Sequence, residues 1–299
     1  MSDSLDKLIQ FAQISGGIDT QCQLQGDWFL KHNHQPEKAV VHIVVEGEGY
    51  LKIAGEKQSH LLKTGDVIFF SRAAPHILSS QCSCENSMDI PLVDSRGCIQ
   101  IKHKGVGKSD FTLFCAHFSY DKYATLFYDL PEWLSVHLPD SLLQPLLALL
   151  KQEISGENIG SQQVIDSLSV VLLIAIIRRY LDDNPADTGG LLRGIQDHRL
   201  TALLNGILRS PEEDWSIEKM MIKSHLSRAQ LMRVFKQQVG VTPHVFLQKI
   251  RLQQAAVLLK RTAHSICNIA LLTGFQSETH FIKSFKKMYE MTPSVYRKR

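Results

Sequence analysis

The 299-residue chain is short of several things, and each shortage excludes something. Its longest strongly apolar stretch, SVVLLIAIIRRYL, starts at Ser169 and meets Arg178 too soon to cross a bilayer, which takes about 20 apolar residues. The opening MSDSLDKLIQFAQ has neither the basic segment nor the apolar run of a secretory signal. A cytoplasmic protein without a membrane partner is therefore expected. There are only six cysteines, Cys22, Cys82, Cys84, Cys98, Cys115 and Cys267. With no export signal they read as reduced thiols and not as a disulfide framework. Apolar residues make up 44% and charged residues 21%, an ordinary soluble composition, and the length suffices for two domains.

The net charge of +3 hides a division: residues 195–299 carry a net +10 and residues 1–194 a net −7. One end of the chain is drawn to a polyanion and the other is not. The pattern of apolar residues divides the chain similarly. AVVHIVVEGEGYLKIAG, SHLLKTGDVIFFS and DFTLFCAHFSY are short Val-, Ile- and Phe-rich runs separated by glycine turns, which predicts strands in a barrel or sandwich. From Pro139 leucines fall three and four apart, predicting helices, the second apolar enough to be buried on two sides. DDNPADTGG at 182–190 is a cluster of turn formers and reads as a linker. The domains expected are a sensor over 1–138, a helical dimerisation or coupling segment over 139–181, a linker over 182–194 and a basic domain over 195–299.

Inside the basic domain the chain repeats itself. VFKQQVGVTP at 234–243 returns as SFKKMYEMTP at 284–293, an offset of 50. Each copy has a short helix, a turn, and a longer helix beginning after Ser227 or Ser277, residues suited to cap a helix N-terminus. Leu231 and Phe235 in one copy match Phe281 and Phe285 in the other, four apart and so on one buried stripe. These are two helix-turn-helix units, and PHVFLQKIRLQQAAVLLKRT between them predicts one connecting helix. The stripes leave Arg228, Ala229, Met232 and Arg233 free in the first copy and Glu278, Thr279, Ile282 and Lys283 in the second.

IALLTGFQSETHFIKSFK followed by TPSVYR closely resembles the C-terminal DNA-binding domain of the AraC/XylS family of transcription regulators, across about 198–299. That resemblance implies a sequence-specific regulator, an activator in the first instance, with promoter duplex DNA and RNA polymerase as partners. It places Ala229, Met232, Arg233, Glu278, Thr279 and Lys283 toward the grooves. Arg233 suits a bidentate guanine contact, and Ala229 and Met232 suit thymine methyls. Glu278 either accepts from a cytosine or pairs with Lys283. Lys236, Lys286 and Lys287 suit phosphate. Two departures from the pattern stand out: Met221 where a small residue is usual, and Glu290 where a helix-ending glycine is common.

Residues 26–80 resemble the cupin-type sensor domain of the same family. Through that resemblance the fold class is α+β multidomain: a cupin-like β-barrel followed by helices, then an all-α double helix-turn-helix domain. Metal-binding cupins converge two histidines of an H-x-H pair, a glutamate and a later histidine; His32, His34, Glu37 and His76 stand at roughly matching places. Such ligands would suit a divalent transition metal. Cys22, expected in IDTQCQLQGDW just before the barrel, Cys82 and Cys84 in a loop, and Cys115 in a strand-like run are laid out as in redox-sensing members of the family, including a reactive-chlorine sensor. Cys82, Cys84, Cys98 and His103 also offer a loop metal site, and a polar loop of about 30 residues is expected around them. The sensor thus receives a small molecule, a metal or an oxidant, and a homodimer is expected. The alternative is a cupin-type metal-dependent enzyme tethered to DNA.

Overall fold

The computed structural model describes residues 4–33, 38–82, 91–155, 158–184 and 189–299; His34, Glu37 and Cys84 lie outside them. Helix α1 (Ser4–Ala12) comes first. The strands are β1 (Ser15–Leu24), β2 (Phe29–His32), β3 (Lys38–Glu46), β4 (Glu48–Ile53), β5 (Ser59–Lys63), β6 (Asp66–Phe70), β7 (His76–Ser79), β8 (Leu92–Arg96), β9 (Ile99–Lys104), β10 (Phe111–Ser119) and β11 (Trp133–His137), with helix α2 (Thr125–Asp129) before the last. Helices α3 (Asp140–Ser155), α4 (Ser161–Asp183), α5 (Gly190–Gln196), α6 (Thr201–Arg209), α7 (Ile217–Ser224), α8 (Arg228–Val239), α9 (Pro243–Arg261), α10 (Ile266–Leu272), α11 (Glu278–Tyr289) and α12 (Pro293–Lys298) complete the chain.

These elements form two compact units. The first holds the described parts of 14–120 and 131–184, in which the strands make two sheets, ordered β11-β6-β3-β10-β1-β9-β8 and β2-β7-β4-β5. Neighbours are antiparallel except β1 and β9. β3 and β10 lie in the middle of the larger sheet and are buried along nearly their whole length, as their continuous apolar runs require. Their inward residues join Trp28, Leu51, Phe70, Leu78, Phe111 and Leu113 in one core. α4 packs on β1, where Ser169 Oγ accepts from Ile18 N at 2.9 Å and donates to Ile165 O at 2.6 Å.

Two expectations are corrected here. Cys22 lies within β1 and not ahead of the barrel, because β1 continues upstream of the glycine-punctuated runs. β8 and β9 occupy part of the segment read as a long polar loop, their polar outward residues having masked the strand period. Within one chain α4 buries Leu172, Leu173, Ile176 and Ile177, while Val164 and Val171 stay 40% and 46% exposed.

The second unit is helical and includes three stretches of chain: 4–13, 121–130 and the described residues from 189 on. α9 is the expected connecting helix, buried through Phe246, Leu247, Ile250, Leu252, Ala255, Ala256 and Leu259. Residues 121–130 touch both halves of this unit. Asp121 accepts from Tyr296 Oη at 2.7 Å, and Lys122 Nζ lies 3.1 Å from Glu290. The Tyr123 ring meets the Tyr289 ring at 4.6 Å, and Tyr123 O accepts from Gln253 Nε2 at 2.5 Å. Six residues further on, Asp129 accepts from Leu191 N at 2.7 Å in the first turn of α5, and α5 packs on α8. Burial holds the Asp129 carboxyl up at about 6.

Candidate functional site

Helices α7 and α8 form the first helix-turn-helix. Ser216 caps α7 by accepting from Lys219 N, and His225 ends it in the left-handed region at φ 52°. Ser227 and Gln230 then cap α8 reciprocally, satisfying two otherwise unpaired amides. In the second unit, Ser265 caps α10, Gly274 makes the turn at φ 83°, and Ser277 caps α11 by accepting from His280 N at 3.1 Å. A side chain at Gly274 would stand 2.8 Å from Glu212 O and from the Arg251 guanidinium. Glycine is therefore required there both by φ and by room. That guanidinium donates to Pro211 O and Glu213 O, tying the loop before α7 to α9.

The stripes are buried as expected: Leu231, Val234 and Phe235 on α8, and Phe281, Phe285 and Tyr289 on α11. The opposite faces are open. Arg228, Ala229, Arg233 and Lys236 are exposed on α8, with Met232 half-buried; Glu278, Thr279, Lys283, Lys286 and Lys287 are exposed on α11. α8 thus offers cations without a carboxylate, whereas α11 begins with one.

The barrel unit holds a second constellation. His32 on β2 pairs in register with His76 on β7, and β3 contributes His42. Their ring nitrogens lie within 4.8 Å of one another. The rings of His32 and His76 stack at 4.6 Å, and Phe70 covers His76 at 3.9 Å. His42 sits opposite Cys115 in the β3–β10 register and Nδ1 is 3.2 Å from its Sγ.

The hydrogen bonds fix which nitrogens carry protons. Ala74 O can only accept, so the 2.7 Å contact makes His76 Nδ1 the protonated nitrogen. His76 Nε2 then accepts from His42 Nε2 at 2.7 Å, which leaves His42 Nδ1 without a proton, facing Cys115 Sγ. Cys115 in turn meets Cys22, and that bond, with burial second, pushes the Cys115 thiol up. His32 Nε2 is buried with no hydrogen-bond partner among the described residues. Burial lowers all three imidazoles, His32 to about 3 and His76 to about 4. They are neutral at physiological pH, the state in which imidazole ligates metal.

Of the sequence-expected ligands, His32 and His76 are brought together. His42 was missed. Its one signal is a polar residue inside the apolar strand AVVHIVV. Cys22 and Cys115 meet in the core, Cys82 is exposed and Cys98 is half-buried. His103 lies 3.4 Å from Asp94.

A cupin profile matches residues 3–182 and a helix-turn-helix domain profile matches residues 222–299. The chain is 42% identical over 297 residues to the HTH-type transcriptional regulator MtrA of Neisseria gonorrhoeae, covering 99% of this chain and 98% of that protein. The chain belongs to the AraC/XylS family of transcriptional regulators. An uncharacterized HTH-type transcriptional regulator of Haemophilus influenzae is 41% identical over 298 residues, with 99% and 98% covered. The RCS-specific HTH-type transcriptional activator RclR of Escherichia coli is 26% identical over 303 residues, also with 99% and 98% covered. This family member is a DNA-binding regulator with a cupin domain, and the tethered-enzyme alternative is set aside. No helix among the described residues is long and apolar enough to cross a membrane.

Proposed function

We propose that the protein is a cytoplasmic, metal-responsive activator of transcription. A borderline or soft transition ion, copper or zinc, is its signal, and promoter DNA is its target. One observation carries the reading: three neutral imidazoles converge inside the barrel, and one of them, His32, has a buried nitrogen with no partner among the described residues. Such a nitrogen costs free energy unless something fills it, and three imidazoles suit that class of ion. His32, His42 and His76 are the ligands this reading assigns, with His34 and Glu37 retained as further candidates. The resident ion would supply charge and a fixed geometry; the chain supplies neutral donors, with the Phe70 ring covering His76.

On the DNA side, Arg228, Ala229, Met232 and Arg233 of α8 and Glu278, Thr279 and Lys283 of α11 face the grooves, while Lys236, Lys286 and Lys287 meet phosphate. Two copies of the chain associate through α3 and α4. Leu142, Leu146 and Leu149 on one, and Val164, Leu168 and Val171 on the other, form incompletely buried apolar stripes at helical spacing. Activation then follows from contact with RNA polymerase, consistent with the activator among the relatives.

The test is promoter binding and in vitro transcription with chelated protein, with copper or zinc restored, and with His42→Ala. Metal-dependent output in the wild type that His42→Ala removes supports the reading. Output indifferent to chelation and to His42→Ala ends it.

The Cys22–Cys115 contact favours a second reading, oxidant sensing. A hydroperoxide would take two electrons from the pair, the thiols losing both protons as the disulfide forms, and leave as alcohol and water. Mass spectrometry of the peroxide-treated protein decides it. A Cys22–Cys115 disulfide that raises transcription supports it, and unchanged thiols at an oxidised promoter response exclude this pair.

A further inference from the structure

A cavity of about 500 Å³ opens beside His32, between β2, β1, β9 and β10. Its charged lining is Asp19, Lys31, Lys102 and His117, with Gln100 and Thr20 adding polar groups. The acid is already engaged: Asp19 holds His117 Nδ1 at 2.8 and 2.9 Å and accepts from Thr20 Oγ1 at 2.9 Å. Neither lysine has an ion-pair partner among the described residues. Lys102 is half-buried, and it stands opposite Cys22 in the β1–β9 register. Its charge reaches inward far enough to be felt at His32 and His42. The uncompensated charge of this cavity is positive, and it borders a buried imidazole nitrogen that lacks a partner among the described residues.

A cavity of this size matches small-molecule sites, which run roughly 300–1,000 Å³. A cavity walled largely by ammonium, imidazole, amide and hydroxyl groups rejects a long acyl chain and favours a compact anion. We propose that it is a receptor for a small polar organic acid, whose carboxylates pair with Lys102 and Lys31 and accept from Gln100. Such a ligand would be a second input to the regulator, separate from metal, since the lysines hold it whether or not the histidines hold an ion. Cys98 lines the same cavity and serves as a built-in reporter of its occupancy.

The test uses the full chain in chelator at constant ionic strength. Thermal unfolding and titration calorimetry are run with succinate, citrate, inorganic phosphate, uncharged succinamide and octanoate. In parallel, iodoacetamide labelling of Cys98 is followed by peptide mass spectrometry. The expected result is stabilisation by succinate or citrate at millimolar concentration, slower labelling of Cys98, and no response to succinamide. Lys102→Gln should weaken binding at least tenfold while leaving the unliganded unfolding temperature unchanged. Lys31→Gln, at a more exposed position, provides a second variant should the first fold poorly. Binding that survives both substitutions would overturn the proposal. So would no response to any carboxylate, a preference for octanoate, or equal binding of phosphate. Because the protein is chelated, none of these outcomes bears on metal sensing.

Discussion

The two helix-turn-helix units share a frame and differ in how they are held. The first closes α8 with Gly240 at φ 85° and packs Leu231, Val234, Phe235 and Val239. The second closes α11 with Glu290 at φ 59°, a conformation costly for a side chain, and packs an aromatic cluster of Phe275, Phe281, Phe285, Tyr289 and Tyr296. The second is gripped directly by residues 121–123, while the first is reached through Asp129 and α5. The free faces differ too: α8 has cations alone, and α11 opens with Glu278. The lesson is that duplication preserved the cap, turn and stripe of each unit. The exposed side chains and the tertiary anchors differ between the copies.

The largest expected effects fall on the cores. Phe235→Ala and Phe285→Ala should each cost about 3–5 kcal/mol, read by chemical denaturation. Phe285→Ala should be the worse, because its ring also packs on Phe281, Tyr289 and Tyr296. Equal losses would mean that the aromatic cluster adds nothing.

Arg233→Ala should weaken specific DNA binding by about 1–3 kcal/mol and relax the choice at one base pair. Lys286→Ala should weaken all sequences alike and reduce the salt slope by about one ion. Binding measured on single-base operator variants at several salt concentrations separates the two.

Tyr296→Phe removes the hydroxyl from Asp121 and should cost about 1–3 kcal/mol. Amide exchange should quicken in α11 and α12 while α8 stays protected. Faster exchange in α8 would show that residues 121–130 hold both units as one.

Exchanging the caps is a finer probe. Glu290→Gly should stabilise by about 0.5–1 kcal/mol through relief of left-handed strain, less a small loss from the exposed Lys122 pair. Gly240→Glu should destabilise by about 1 kcal/mol.

The barrel is the control for both units. Its histidines are neutral when folded, with pKa values lowered from 6.5 to about 3 for His32 and about 4 for His76. The unfolded chain therefore binds more protons below 6.5. Their contribution is complete above that pH and is lost as pH falls from 6.5 through about 4 to 3. The unfolding midpoint of the metal-free protein should drop across this window, and His42→Ala should alter the slope.

Much of the helix-turn-helix pair was legible because its signals are local. Serine caps, four-residue spacing and Thr-Pro restarts act within a turn or two, and all recur in the structure. Glu290 was visible as a departure, and the structure keeps the glycine-like conformation despite it. His42 was not legible, because a histidine in an apolar strand becomes a site only when β2 and β7 bring His32 and His76 to it. The grip of residues 121–130 on α11, α12 and α5 is likewise non-local: it joins positions up to 175 apart in the chain. Nothing in DKYATLFYDL alone distinguishes it from an ordinary surface turn.

The account rests on one chain carrying two DNA-reading helices on a single connecting helix. Selection of the full-length protein on random-sequence duplex DNA tests this most directly. The predicted result is an enriched site with two conserved elements about one helical turn apart, the element assigned to α8 changing identity in Arg233→Ala. Enrichment of one element alone, or of no sequence at all, would contradict it.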